Sequence, residues 1–197
     1  MALVQLPPVP QPIGVFPQFT AQRTETLILK EKVMSLSGDS FDIKTVDGRP
    51  IFKVKGDAFS LSGRKAVSDM QDNHLFDIRQ RHLTMHSTYY CEDPSGNEFF
   101  EVKNKIRFLS SKAVATFISA GTGKQESLLM KGNFFDSRAE IVDESTGNLV
   151  AVIDRKFMNA SELLFSQQTY ALTVAPGVDM ALMVAMCIAL DEHRNEG

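Results

Sequence analysis

The chain has 197 residues, of which 43% are hydrophobic and 23% charged, with 14 Phe. That is enough apolar surface to close one core without disulfide or metal support. A net charge of −3 excludes any global attraction to nucleic acid or to an anionic membrane, so such a contact needs a local basic patch. The two cysteines, Cys91 in a strand-like run and Cys187 in an apolar run, read as buried free thiols of a reducing compartment.

Residues 1–20 carry five of the eight prolines and no charge, which predicts an extended leader ahead of a single domain, residues 21–197. Val9, Ile13, Val15, Phe16 and Phe19 are too apolar for a purely solvated tail, and some of them are expected to pack along the outside of that domain. The leader lacks the basic start and continuous apolar stretch of a secretion signal. Cytosolic or nuclear residence, with or without peripheral attachment to a membrane, is therefore the expectation, despite an acceptor pattern for glycosylation at Asn159-Ala160-Ser161.

From residue 26 onward a short β-rich run, an Asp/Gly/Ser/Asn turn and a second run recur. Asp47-Gly48 is a strong hairpin signal between runs at 41–46 and 51–55. Turns at 93–97 and 143–148 join runs at 89–92 with 98–103 and 139–142 with 149–153. Further strands are expected at 26–36, 59–61, 75–83, 114–118, 128–130 and 170–174, with turns at Gly38-Asp39, Gly121-Thr122-Gly123 and Pro176-Gly177. Alternation marks one apolar face: Phe100, Val102, Ile106 and Phe108 against Glu101, Lys103, Lys105 and Arg107. The same split separates Phe76 and Ile78 from Asp77, Arg79 and Arg81, and Phe52 and Val54 from Lys53 and Lys55. Arg64-Lys65 reads as loop.

The chain closes on an apolar helix beginning near Val178 or Asp179, with Asp179 as its cap or in its first turn. A helix that is hydrophobic on every side must be enclosed. Its unbroken apolar run, residues 180–190, is far shorter than the ~20 residues that cross a bilayer, so no transmembrane span is expected. A meander with one dry face satisfies all its edges by closing into a barrel, and the helix can fill the lumen.

Local catalytic motifs are missing. Gly121-Thr122-Gly123-Lys124-Gln125 has the wrong spacing and a Gln where a phosphate loop needs Ser or Thr. His82 and His86 lie on a strand-like run without a third ligand, so no metal or cofactor is expected, nor an enzyme. The positive lead is the outward cations Lys53, Lys55, Arg79, Arg81, Lys103, Lys105 and Arg107, which suit phosphorylated head groups if they converge and are otherwise the solvated side of amphipathic strands.

With the hairpins, residues 170–179 and the helix at 180–192 in hand, the chain resembles the LURP-one-related family, which is similar to the tubby C-terminal fold. The resemblance implies a mainly β protein: a closed antiparallel barrel of about twelve strands around a hydrophobic C-terminal helix. The expected function is that of a non-enzymatic intracellular binding module of this fold. The wider group includes phosphoinositide-binding tubby proteins and phospholipid scramblases, and some members of the family are linked to plant defence. The expected ligand is a phosphoinositide or another anionic phospholipid, through the cations named above. The alternative is a stress- or defence-related scaffold for a protein partner. Scramblase hallmarks, a cysteine-rich segment and a terminal calcium-linked span, are missing.

Overall fold

The computed structural model of the protein describes residues 4–30, 40–57, 63–82, 84, 87–107, 110–133, 138–155 and 169–195. Twelve strands follow one another: β1 (Glu25–Lys30), β2 (Ser40–Thr45), β3 (Pro50–Gly56), β4 (Lys65–Asp69), β5 (His74–Arg81), β6 (Thr88–Glu92), β7 (Glu98–Arg107), β8 (Ser110–Ile118), β9 (Gln125–Asn133), β10 (Arg138–Asp143), β11 (Leu149–Asp154) and β12 (Thr169–Val174). Each pairs antiparallel with its neighbour in sequence, and β1 pairs with β12, so the sheet closes. The helix α1 (Met180–Asn195) follows β12. A closed barrel with a C-terminal helix is the architecture the strand pattern predicts, and its twelve strands are the number the resemblance implies.

Inward positions are dry. Phe52, Val54, Val67, Phe76, Ile78, Phe100, Val102, Ile141, Ile153 and Leu172 are each at most 2% exposed. Residues 181–190 of the helix are likewise at most 2% exposed on every face, which only a surrounding wall can produce. Ala181, Ala185 and Ala189 repeat at fourth positions and keep one stripe of the helix thin. Burial of each large apolar side chain contributes about 1.5–3 kcal/mol. Both thiols are free and buried, and burial pushes the pKa of each upward.

An up-and-down meander brings alternate turns to the same end. The turns after β2, β4, β6, β8 and β10 share the end at which β12 stops and α1 begins. Three of them are wired alike. The Asp93 carboxylate accepts the Ser95 and Asn97 amides at 2.8 and 2.9 Å, and Asp69 accepts those of Gln71 and Asn73 at 2.9 Å each. Asp143 accepts the Ser145 amide at 2.9 Å. Register shifts at Val67/Ser68, Cys91/Glu92 and Ile141/Val142 mark a bulge beside each. In the Asp69 turn the left-handed position is held by Asp72, φ 64°, where the Asp93 turn has Gly96.

The leader crosses this same end. Its 3₁₀ turn (Pro17–Phe19) carries no buried residue, yet Phe16 stacks on Phe76 at 5.5 Å and meets Phe99 edge-on at 5.4 Å, and Phe19 lies 4.9 Å from Phe52. Phe52 and Phe76 are inward-facing core residues, so the leader packs on the domain across the mouth of the barrel and caps it. Asp179 ties it there. One carboxylate oxygen, Oδ1, caps the helix by accepting the Ala181 and Leu182 amides at 2.8 and 3.3 Å. The other, Oδ2, accepts those of Val15 and Phe16 at 3.0 and 2.8 Å. Burial pushes this carboxyl upward in pKa, opposed by those same amides.

Two expectations are corrected. Lys65 is not in a loop: it opens β4 and is 1% exposed. Asp77 shares the outward row of Arg79 yet is 4% exposed, because the Arg64 guanidinium (2.8 Å) and the His74 ring (3.0 Å) close over it. The strand at 59–61, residues 31–36 of the opening strand, the turn at Gly38-Asp39, Leu83, His86, Phe108 and the pattern at Asn159 lie outside the described residues.

Candidate functional site: the charged outer face of the barrel

The strand order collects the predicted cations in one half of the barrel. β3, β5 and β7 all run away from the capped mouth, and Lys55, Arg79, Arg81, Lys103, Lys105 and Arg107 stand in their later parts. Lys53 is nearer the middle of β3. From β3 to β7 is four strand steps, ~19 Å, so the cations line a face and do not converge on one pocket.

Most of the described ones already have a carboxylate. Lys53 Nζ is 2.6 Å from Asp72, which holds the ammonium above the ordinary lysine range. Arg79 Nε lies 2.5 Å from Glu92, and Lys103 Nζ 2.6 Å from Glu101. Arg81 donates to Glu98 at 2.6 Å and lies 4.6 Å over the Tyr90 ring. In the ladder Arg79 faces Tyr90 and Tyr90 faces Glu101, so the β5–β6–β7 face alternates in sign. Such exposed pairs contribute little to stability, about 0–1 kcal/mol each. Lys55 is exposed and has no carboxylate partner among the described residues.

The β7–β8 hairpin differs. Lys105 sits directly across from Lys112, and Arg107 across from Ser110. β8 and β9 are paired up to Ala113 and Met130, and the next residue on each strand is again lysine, Lys112 and Lys131, both exposed. Neither has a carboxylate partner among the described residues. Lys103, Lys105 and Arg107 occupy alternate positions of β7, with Glu101 beside Lys103, and Glu140 lies across from Lys131. The sequence reading missed Lys112 and Lys131. The available signal was that Lys105 and Lys112 are equidistant from residues 108 and 109, the register a tight hairpin imposes.

A cleft of about 350 Å³ lies between Val4, Arg23, Thr24, Thr45 and Asp47. Its polar groups bond one another: Arg23 with Glu25 at 2.9 Å, and Thr24 Oγ1 with the Leu6 carbonyl at 3.1 Å. Among the described residues no three His, Cys, Asp or Glu side chains are grouped to hold a metal ion, and no helix is long and apolar enough to cross a membrane.

Comparison with known proteins agrees with this architecture. An X-ray structure of a protein from Arabidopsis thaliana superposes with a TM-score of 0.66 over 91% of this chain and 97% of that one, at 18% identity. Protein LURP-one-related 10 of Arabidopsis thaliana is 23% identical, covering 92% of this chain and 96% of its own length. Protein LURP-one-related 15 is 24% identical over 96% and 90%, and Protein LURP1 22% over 87% and 84%, both from the same plant. None of these names states an enzymatic activity. The sequence profile described as LURP-one-related matches residues 25–191, all but the leader and the last turn of the helix, and the chain belongs to that family.

Proposed function

We propose that this chain is a non-enzymatic binding module whose basic β7–β9 face grips anionic phospholipid head groups at a membrane surface. The observation that carries the reading is the direct opposition of Lys105 and Lys112 in the ladder, flanked by Lys103, Arg107 and Lys131. Like charges directly opposed across a strand pair are destabilising. An incoming phosphate relieves that repulsion, and each cation near an anionic surface contributes about 1 kcal/mol to binding. The packed lumen supports recognition from outside, because the helix fills it with residues at most 2% exposed. Resemblance to the tubby fold points the same way.

Co-sedimentation with vesicles of phosphatidylcholine, with and without phosphoinositide, is the test. Binding is expected only to the phosphorylated lipid and should weaken as salt rises. Lys105→Glu with Lys112→Glu should abolish it; retention by the double variant would sink the reading.

A second reading, a scaffold for a protein partner, is favoured by the alternating signs around Arg81, Tyr90, Glu98 and Glu101. Mixed charge around an aromatic ring suits a protein surface better than a lipid one. Arg81→Ala with Tyr90→Ala should then remove a co-purifying partner and leave vesicle binding unchanged.

A further inference from the structure

We infer that the mouth of the barrel is a recognition groove for a Gly-x-Phe-x-x-Phe segment ending in a 3₁₀ turn, filled in cis by residues 13–21, and that it takes the same segment in trans from a second copy of this chain. This stands apart from the lipid reading, which concerns the opposite half of the barrel wall.

The contacts are those of a bound peptide. Main-chain bonds fix the path: the Ile13 N–H donates to the Gly177 carbonyl at 3.0 Å, the Asp179 N–H to the Ile13 carbonyl at 2.9 Å, and the Ala21 N–H to the Val178 carbonyl at 2.9 Å. Isolated bridges pair Ile13 with Val178 in parallel and Thr20 with Asp179 antiparallel, so the segment adds locally to the short run of backbone between β12 and α1 without joining the barrel ladder. Two aromatic anchors give side-chain selectivity: Phe16 between Phe76 and Phe99, and Phe19 against Phe52. Asp179 reads the backbone of the segment with Oδ2 while Oδ1 serves the helix.

Position 14 must be glycine for the segment to seat. Its φ is +149°, and a Cβ there would stand 2.1 Å from the Asp179 Cβ, a distance no packing adjustment accommodates. The segment joins β1 only through residues 22–24, of which Gln22 and Arg23 are exposed. A short exposed link between a docked segment and its barrel is the arrangement from which segments exchange between copies.

The Gly14→Ala full-length chain separates groove from occupant. Its own segment cannot seat, but Asp179 and the phenylalanines are unchanged. A fluorescent peptide of residues 4–24 should bind this variant by anisotropy, bind the wild-type chain at least about tenfold more weakly because the tethered segment competes, and lose binding to the variant when the peptide itself carries Ala at position 14. A folded Gly14→Ala chain that ignores the wild-type peptide overturns the inference.

Asp179→Asn gives a second route. Asparagine caps a helix as well as aspartate, but its single acceptor oxygen leaves an NH₂ group facing the Val15 and Phe16 amides. Hydrogen-exchange protection of those two amides should fall about a hundredfold with Leu27 and Leu172 unchanged. Should either variant fail to fold, native-state exchange on the wild-type chain decides. Amides of Ile13, Val15, Phe16 and Ala21 are expected to open with weaker denaturant dependence than those of β1 and β12, and opening of both only in global unfolding would overturn the inference.

Discussion

The two halves of the barrel solve different problems. At the capped mouth four aspartates turn inward on the protein: Asp69, Asp93 and Asp143 bind the amides of their own turns, and Asp179 binds helix and leader together. In the other half Lys55, Arg79, Arg81 and Lys103 stand on β3, β5 and β7, and Arg155, 12% exposed, pairs at 3.0 Å with the fully buried Asp191 of the helix. Carboxylates bound to backbone donors fix the turns at one end, whereas the described cations stand on the outer wall, most of them beside a carboxylate. Backbone-directed carboxylates and outward cations thus sit at opposite ends of one sheet.

The largest blow to this contrast is one that hits both halves. Ala185→Asp sets an unpaired carboxylate in the middle of the enclosed helix, 0% exposed, and should cost about 4 kcal/mol. The melting temperature should fall by about 10 °C or more, and an unmoved transition would mean that the helix is not enclosed. Asp191→Ala tests the distal half alone: it leaves the Arg155 guanidinium, 12% exposed, without its carboxylate, at a cost of about 3 kcal/mol in urea unfolding. Phe16→Ala is its counterpart at the mouth. Loss of a half-buried ring from the Phe16, Phe76, Phe99 cluster should cost about 2 kcal/mol, and more than the Asp191 change would reverse the ranking of the ends.

Smaller effects sharpen the comparison. Lys105→Glu with Lys112→Glu, on the outer wall, should shift stability by no more than about 0.5 kcal/mol while removing vesicle binding. A large loss of stability there would make those lysines structural. The acid limb separates the ends by chemistry. Asn97, through its side chain and then its backbone amide, holds Asp93 below the usual carboxylate range. Asp69 and Asp143 are lowered as well, burial acting against the hydrogen bonds that prevail. A depressed folded-state pKa contributes stability that is full above about pH 4 and is lost as pH falls through the folded value. Asp93→Ala should therefore flatten the fall in melting temperature below about pH 4 and leave its pH dependence above about pH 6 unaltered.

Much of the wall was legible because alternation and turn chemistry are local. Phe100 and Val102 face in, Glu101 and Lys103 face out, and Asp93 and Asp143 head their turns as the sequence implies. β4 was missed because its hairpin uses Asp72 where Gly96 stands in the next one, and because Lys65 looks solvated in one dimension. Lys112 and Lys131 were missed for a related reason: neither belongs to a conspicuous stripe, and they matter only once register sets them beside β7. The cations of β5 looked free because Glu92, Glu98 and Glu101, which neutralise them, lie on other strands.

By itself the sequence determined that a meander of one-faced strands ends in a helix apolar all round, and hydrophobic burial then leaves a closed sheet around that helix as the arrangement that covers both. Only the tertiary structure decided which charges meet. Ion pairing, the opposition of Lys105 and Lys112, and the two-sided grip of Asp179 all depend on distances of a few ångströms between residues remote in sequence, and such distances are set by register and closure rather than by any local propensity.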